Sequence, residues 1–173
     1  DEDVYTFRNI LVQEVAYGSI SASQKKNLHL KIGELLEKLG DLSANVELLA
    51  YHYNKAEIYE KAVYYYHASG EKVSKINNYK KSIDYFNMAL DILTKFEVNT
   101  GLLELELEIN KKAGKIFIIL NNFTQALKHF ERAMSIFNSE AYLSAVGGDK
   151  HVKSEKHLAE CYLNLGIIYH NRV

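Results

Sequence analysis

Seven histidines are the side chains best suited to metal or acid–base chemistry: His29, His52, His67, His129, His151, His157 and His170. A metal pair on a helix needs ligands three or four residues apart on one face, with a carboxylate nearby. No two of these histidines have that spacing, and His151 and His157 are six apart. Surface or half-buried imidazoles are therefore expected, and no metal site is assigned. Cys161 is the one thiol, with His157 one helical turn before it on the same face. Such a pair is raw material for a nucleophile and its base. The plainer reading is a small core residue, since buried unreactive cysteine is common, and that is the expectation. Gly70-Glu71-Lys72 and Gly147-Gly148-Asp149-Lys150 echo a phosphate loop but lack its strand and its Gly-Lys-Ser/Thr ending. Tyr64, Tyr65 and Tyr66 point about 100° apart on a helix and form no cage. Tyr66 is expected to pack and Tyr64 to stay exposed. Lys25-Lys26, Lys80-Lys81 and Lys111-Lys112 each have an acidic residue within a turn or two (Glu34, Asp84, Glu108), so they read as solvated helix faces. The search yields no catalytic residue, no cofactor site and no metal site.

The elements that would position these residues are helices. The chain has 173 residues, 47% hydrophobic and 25% charged, with 13 tyrosines, no proline and no tryptophan. Without proline nothing breaks a long helix. The net charge of -1 lacks the basic surplus that nucleic-acid binding draws on, so no nucleic-acid partner is expected. A single cysteine suggests a reducing, cytoplasmic location. No run approaches the roughly 18 apolar residues of a membrane span. The acidic start Asp1-Glu2-Asp3 does not resemble a signal peptide, and both ends read as cuts in a longer chain.

Val4 to Arg8 is a short β-prone stretch, followed by mixed helical spacing from Asn9 to Tyr17. Ser21 suits the N-cap of a helix ending near Leu39-Gly40, with Leu28, Ile32, Leu35, Leu36 and Leu39 on one 3.6-period stripe. Asp41 or Ser43 would cap the next helix, through Tyr53. Further helices are expected at 59–76, 79–96, 102–120, 123–137 and from 155 onward. Asn77-Asn78 and Asn121-Asn122 suit the turns, because Asn tolerates a left-handed backbone. The stretch 138–153, with Gly147-Gly148-Asp149, reads as a mobile loop.

An internal repeat organises the helices. Gly70, Asn77-Asn78-Tyr79, Ser82, Phe86 and Ala89 recur 44 residues on as Gly114, Asn121-Asn122-Phe123, Ala126, Phe130 and Ala133. A partial third copy contains Gly166 and Tyr169. Gly70, Gly114 and Gly166 would let one helix approach its partner. Phe86 and Phe130 would fill the gap, and Ala89 and Ala133 would seat the next hairpin. One hairpin cannot bury its own apolar faces, so such units stack.

This pattern resembles the tetratricopeptide (TPR) family, whose repeats set small, aromatic, small, aromatic and small residues in this order. Gly114, Phe117, Ala126, Phe130 and Ala133 fit all five places; Val73 is the departure in the preceding copy. The 44-residue offset exceeds the family's usual spacing of about 34. The first third, from Tyr5 to Tyr17 and from Gln24 to His29, is similar to the junction after the ATPase module of multidomain signalling ATPases and soluble class III adenylyl/guanylyl cyclases. There a winged-helix-like unit hands over to repeats. The expected architecture is thus all-α. Residues 1–40 would end a winged-helix-like or linker segment, and 41–173 would form a TPR-like superhelix.

The resemblance also implies a groove lined by the first helix of each pair: Tyr64, His67, Glu71 and Lys75, then Glu108, Lys111, Lys115 and Ile118, then Glu160, Leu163 and Ile167. Mixed charge with exposed tyrosine suits a peptide or a partner's helix. The family's chaperone-tail clamp is disfavoured, because His67 and Glu71 stand where it wants Lys and Asn. The expected role is a protein-interaction scaffold or regulatory arm, its partner a protein, a peptide or another domain of the same chain. The alternative is a non-catalytic part of a nucleotide-handling enzyme of the adenylate cyclase type.

Overall fold

The computed structural model describes residues 9–95, 99–145 and 150–170. These form α1 (Ile10–Ser19), α2 (Ala22–Lys38), α3 (Leu42–Lys55), α4 (Tyr59–Ser74), α5 (Tyr79–Leu93), α6 (Thr100–Ile119), α7 (Phe123–Phe137), α8 (Glu140–Ala145) and α9 (Lys150–His170). No strand occurs among the described residues. The β-prone stretch at Val4 to Arg8 and the glycine pair at 147–148 lie outside them.

Local chemistry sets the helix ends. Ser21 and Gln24 form a reciprocal capping box at the start of α2. The side chains of Asn9, Asp41, Asn78, Asn99 and Asn122 each accept from a backbone N–H of the following first turn. Three turns share one stop. Glu57, Asn77 and Asn121 have φ of 61°, 58° and 54°. The next residue's N–H reaches back five positions in each case: Ile58 to Tyr53, Asn78 to Val73, and Asn122 to Phe117, at 2.8–3.1 Å. This is the Schellman closure, which needs a left-handed residue.

The chain divides into two compact units, Asp1–Ala62 and Val63–Val173. In the first, α2 packs on α3. A Cβ on Gly33 would lie 3.0 Å from Cζ of the fully buried Tyr53, so the glycine admits the ring. The buried face of α2 is His29 and Gly33. Of the apolar stripe on α2, Ile32 and Leu36 are half-buried and Leu28, Leu35 and Leu39 are exposed, because the α2–α3 contact is centred on the one residue small enough for Tyr53.

In the second unit α6 is the central helix and packs against α5, α7, α8 and α9. Phe86 and Phe130 are buried and press on Gly70 and Gly114, where an added Cβ would overlap their rings. Ser82, Ala89, Ala126 and Ala133 are all fully buried around these rings, and the Ser82 hydroxyl donates to the Gly70 carbonyl at 2.9 Å. Consecutive helices therefore pack in pairs. Gly166 differs, since a Cβ there would meet nothing within 4 Å. The loop expected at 138–153 is also corrected. Tyr142 is buried against Phe137 at 5.7 Å between ring centres, and Ser139 accepts from the Tyr142 N–H, so 140–145 are helical and α9 begins at Lys150.

Two measurements test these contacts. Gly114→Ala places its Cβ 2.7 Å from Phe130 Cε2 and should cost about 1–3 kcal/mol in chemical denaturation. The cost should shrink when Phe130→Leu is made alongside; an equal cost in both backgrounds would place the strain elsewhere. Asn121→Ala should lose about 1 kcal/mol through its left-handed backbone, whereas Asn121→Gly should lose nothing. Equal effects of the two changes would refute the backbone explanation.

Candidate functional site

A concave surface lies in the second unit, along α4, α6 and α9. α4 and α6, with Phe86 from α5, enclose a cavity of about 330 Å³ edged by Glu71, Lys75, Lys112 and Lys115. α6 and α9 enclose one of about 430 Å³, edged by Glu108, Lys111, Lys156, His157 and Glu160. Lys112 and Lys115 line both, so the two cavities adjoin.

Several expected groove residues meet here, at different depths. Lys75 and Lys115 are exposed on the rim, while Glu71 and Glu108 are half-buried; Tyr64 is exposed on α4 and lines neither cavity. Tyr65 is buried beside Tyr66, which stacks on Tyr85. Leu163 and Ile167 are exposed on α9. Two residues depart from the expectation. Ile118 packs against the core cluster around Phe130. Lys111, read from sequence as solvated, has a side chain only 4% exposed. It is buried because α9 lies over it.

Lys111 survives burial because two carboxylates flank its ammonium group. It donates to Glu160 at 2.7 Å and to Glu108 at 3.3 Å, and Nδ1 of His157 lies against it. His157 Nδ1 also sits 3.1 Å from Glu108. Lys115 donates to Glu160 as well, and Lys112 to Glu71. Partial burial alone would raise the Glu160 carboxyl, but the two lysines outweigh it and hold its pKa down to about 2. For Glu71, likewise, Lys112 overcomes burial and the pKa falls. These contacts tie α9 to α6 and α6 to α4.

The histidines occupy settings that spacing rules cannot see. His67 stacks on Phe86, and its Nε2 is buried with no hydrogen-bond partner among the described residues. Burial lowers its pKa. His129 stacks on Phe117 and bonds Asn110 at 2.9 Å; burial lowers its pKa too. On another face of α6 the nearly buried Glu106 accepts from Arg132 at 2.8 Å, a pair the sequence reading missed.

In the first unit His29 and His52, 23 residues apart, meet Nδ1 to Nδ1 at 2.9 Å, and the Tyr17 hydroxyl lies 2.9 Å from His29 Nε2. One proton serves the Nδ1 pair, so double protonation would set N–H against N–H. Burial lowers both pKa values; the Lys55 charge adds to this for His29 and the His29 charge for His52. Cys161 is buried, and burial raises its thiol pKa, as befits a core residue. Among the described residues no group of three or more His, Cys, Asp or Glu side chains could hold a metal ion, and no helix is long and apolar enough to cross a membrane.

No family model matches the chain, and no curated protein or solved structure matches it.

The titrations give a pH profile with two limbs. Histidines whose folded pKa lies below 6.5 favour the folded state while neutral. That contribution is complete above pH 6.5 and is lost as the pH falls below it. Glu160 favours the folded state while ionised, fully above pH 4.5, and its contribution is lost between there and about 2. Thermal melts should show both losses. His52→Gln should flatten the first and Glu160→Gln the second; a profile unchanged by either substitution would contradict the assignment.

Proposed function

We propose that the chain is a TPR-like interaction scaffold that binds a protein or peptide along the α4–α6–α9 surface. The observation that carries this reading is the pair of adjoining cavities, framed by α4, α6 and α9 and backed by α5 and α7. Small-to-aromatic contacts at Gly70 and Gly114 support the repeat assignment. The mixed charge of the rim and the exposed Tyr64 suit side-chain recognition.

Within a larger signalling protein the chain would act as a regulatory arm beside an ATPase or a nucleotide cyclase, in the cytoplasm. Exposed apolar side chains on α1 and α2, Ile10, Val15, Leu35 and Leu39 among them, support docking of a neighbouring domain in cis. In the alternative reading, a nucleotide-handling fragment, the isolated chain would bind ATP.

Quantitative affinity capture from cell extract tests the scaffold reading. The intact chain should recover a protein that a Tyr64→Ser, Lys115→Glu variant of unchanged helicity does not. Identical recovery by both would overturn it, and ATP binding in calorimetry would favour the alternative.

A further inference from the structure

We infer that the groove takes an acidic peptide segment interrupted by apolar residues, its carboxylates meeting Lys75 and Lys156 and an apolar side chain resting over Ile116 and Ile119. The inference deepens the scaffold reading and rests on it. The argument is one of charge complementarity. The three glutamates of the groove are already engaged: Glu71 by Lys112, Glu108 by Lys111, and Glu160 by Lys111 and Lys115. Those pairs leave two cations over. Lys75 edges the first cavity and Lys156 the second, both exposed; Lys75 stands one turn from Glu71 and adds to the lowering of its pKa, but neither lysine makes a close ion pair among the described residues.

The surplus charge is therefore split between the two cavities. A ligand that spans both and carries a carboxylate at each end meets attraction at both. Within the first cavity the wall is not uniformly polar: Ile119 is 56% exposed, and the buried Ile116 lines the same cavity. A hydrated polyanion gains nothing from that apolar stretch, and a peptide side chain does. The same geometry weighs against nucleic acid. A phosphate backbone brings charge at every step, whereas each wall of this groove carries a glutamate as well as lysines. Lys112 and Lys115, though engaged, sit at the junction of the cavities and strengthen the positive potential where the ligand crosses.

Fluorescence anisotropy on the whole chain, with a labelled, amide-capped peptide carrying glutamates on both sides of a leucine, tests this. Binding should weaken about fivefold with Lys75→Gln, and about as much with Lys156→Gln, as expected for one partly exposed charge contact. It should weaken further with added salt, and the glutamine version of the peptide should bind far less. Both lysines are exposed, so neither change should alter the fold; circular dichroism checks this. Equal binding of the glutamate and glutamine peptides would overturn the acidic class while leaving a peptide groove standing. Peptide binding indifferent to both lysines would place the site elsewhere. No binding of the glutamate peptide would overturn the inference, and the capture experiment would then judge the scaffold reading independently. An oligothymidylate that displaced the peptide and depended on the same two lysines would replace it with a nucleic-acid site.

Discussion

Contact between a glycine on one helix and an aromatic ring on the next governs this structure. It occurs at Gly33 with Tyr53, at Gly70 with Phe86 and at Gly114 with Phe130. Removing one methyl group lets the ring lie against the backbone of the neighbouring helix, and the ring then buries a large apolar area in a single contact. A mid-helix glycine costs roughly 0.5–1 kcal/mol relative to alanine. Burial of a phenylalanine returns about 1.5–3 kcal/mol, so the exchange is favourable wherever the ring is fully enclosed, as Phe130 is.

Close approach has a second consequence, which concerns charge. Once α6 and α9 are held together, groups between them must pair or desolvate. Lys111 pairs with Glu108 and Glu160; at the separate contact of α4 with α5, His67 lies against Phe86, desolvates and loses basicity. The ion pairs are poor sources of net stability, since burial of each charge offsets most of its attraction. Their stronger effect is to fix the orientation of α9 against α6, because breaking one partner strands the other. The groove is thus a by-product of the packing that built the helix pairs, with its polar groups arranged by that packing.

The repeat made much of the architecture readable. Asn77 and Asn121 marked turns that prove left-handed, Ser21 marked a capping box, and Gly70, Phe86, Gly114 and Phe130 marked the helix contacts. Each of these is a local or pairwise rule with a strong steric basis. The α2 stripe did not mark the contact face, for the complementary reason. Periodicity says which residues share a face but not which face meets a partner, and the small Gly33 outweighed three leucines. The short helix α8 was hidden because six residues carry too little periodicity. Its signal was the pair Ser139 and Tyr142, a cap and a buried ring.

By itself the sequence determined the helical class, the turn positions and the small-to-large pairing, because these depend on backbone sterics and on neighbours within reach along the chain. Only the tertiary structure decided which polar groups would be desolvated. His29 and His52 share no helix, and Lys111 meets its acceptors partly on α9. Their burial depends on segments that approach from distant parts of the chain. Electrostatic character follows from that approach, so the groove's surplus of two lysines becomes visible only after the paired charges have been subtracted.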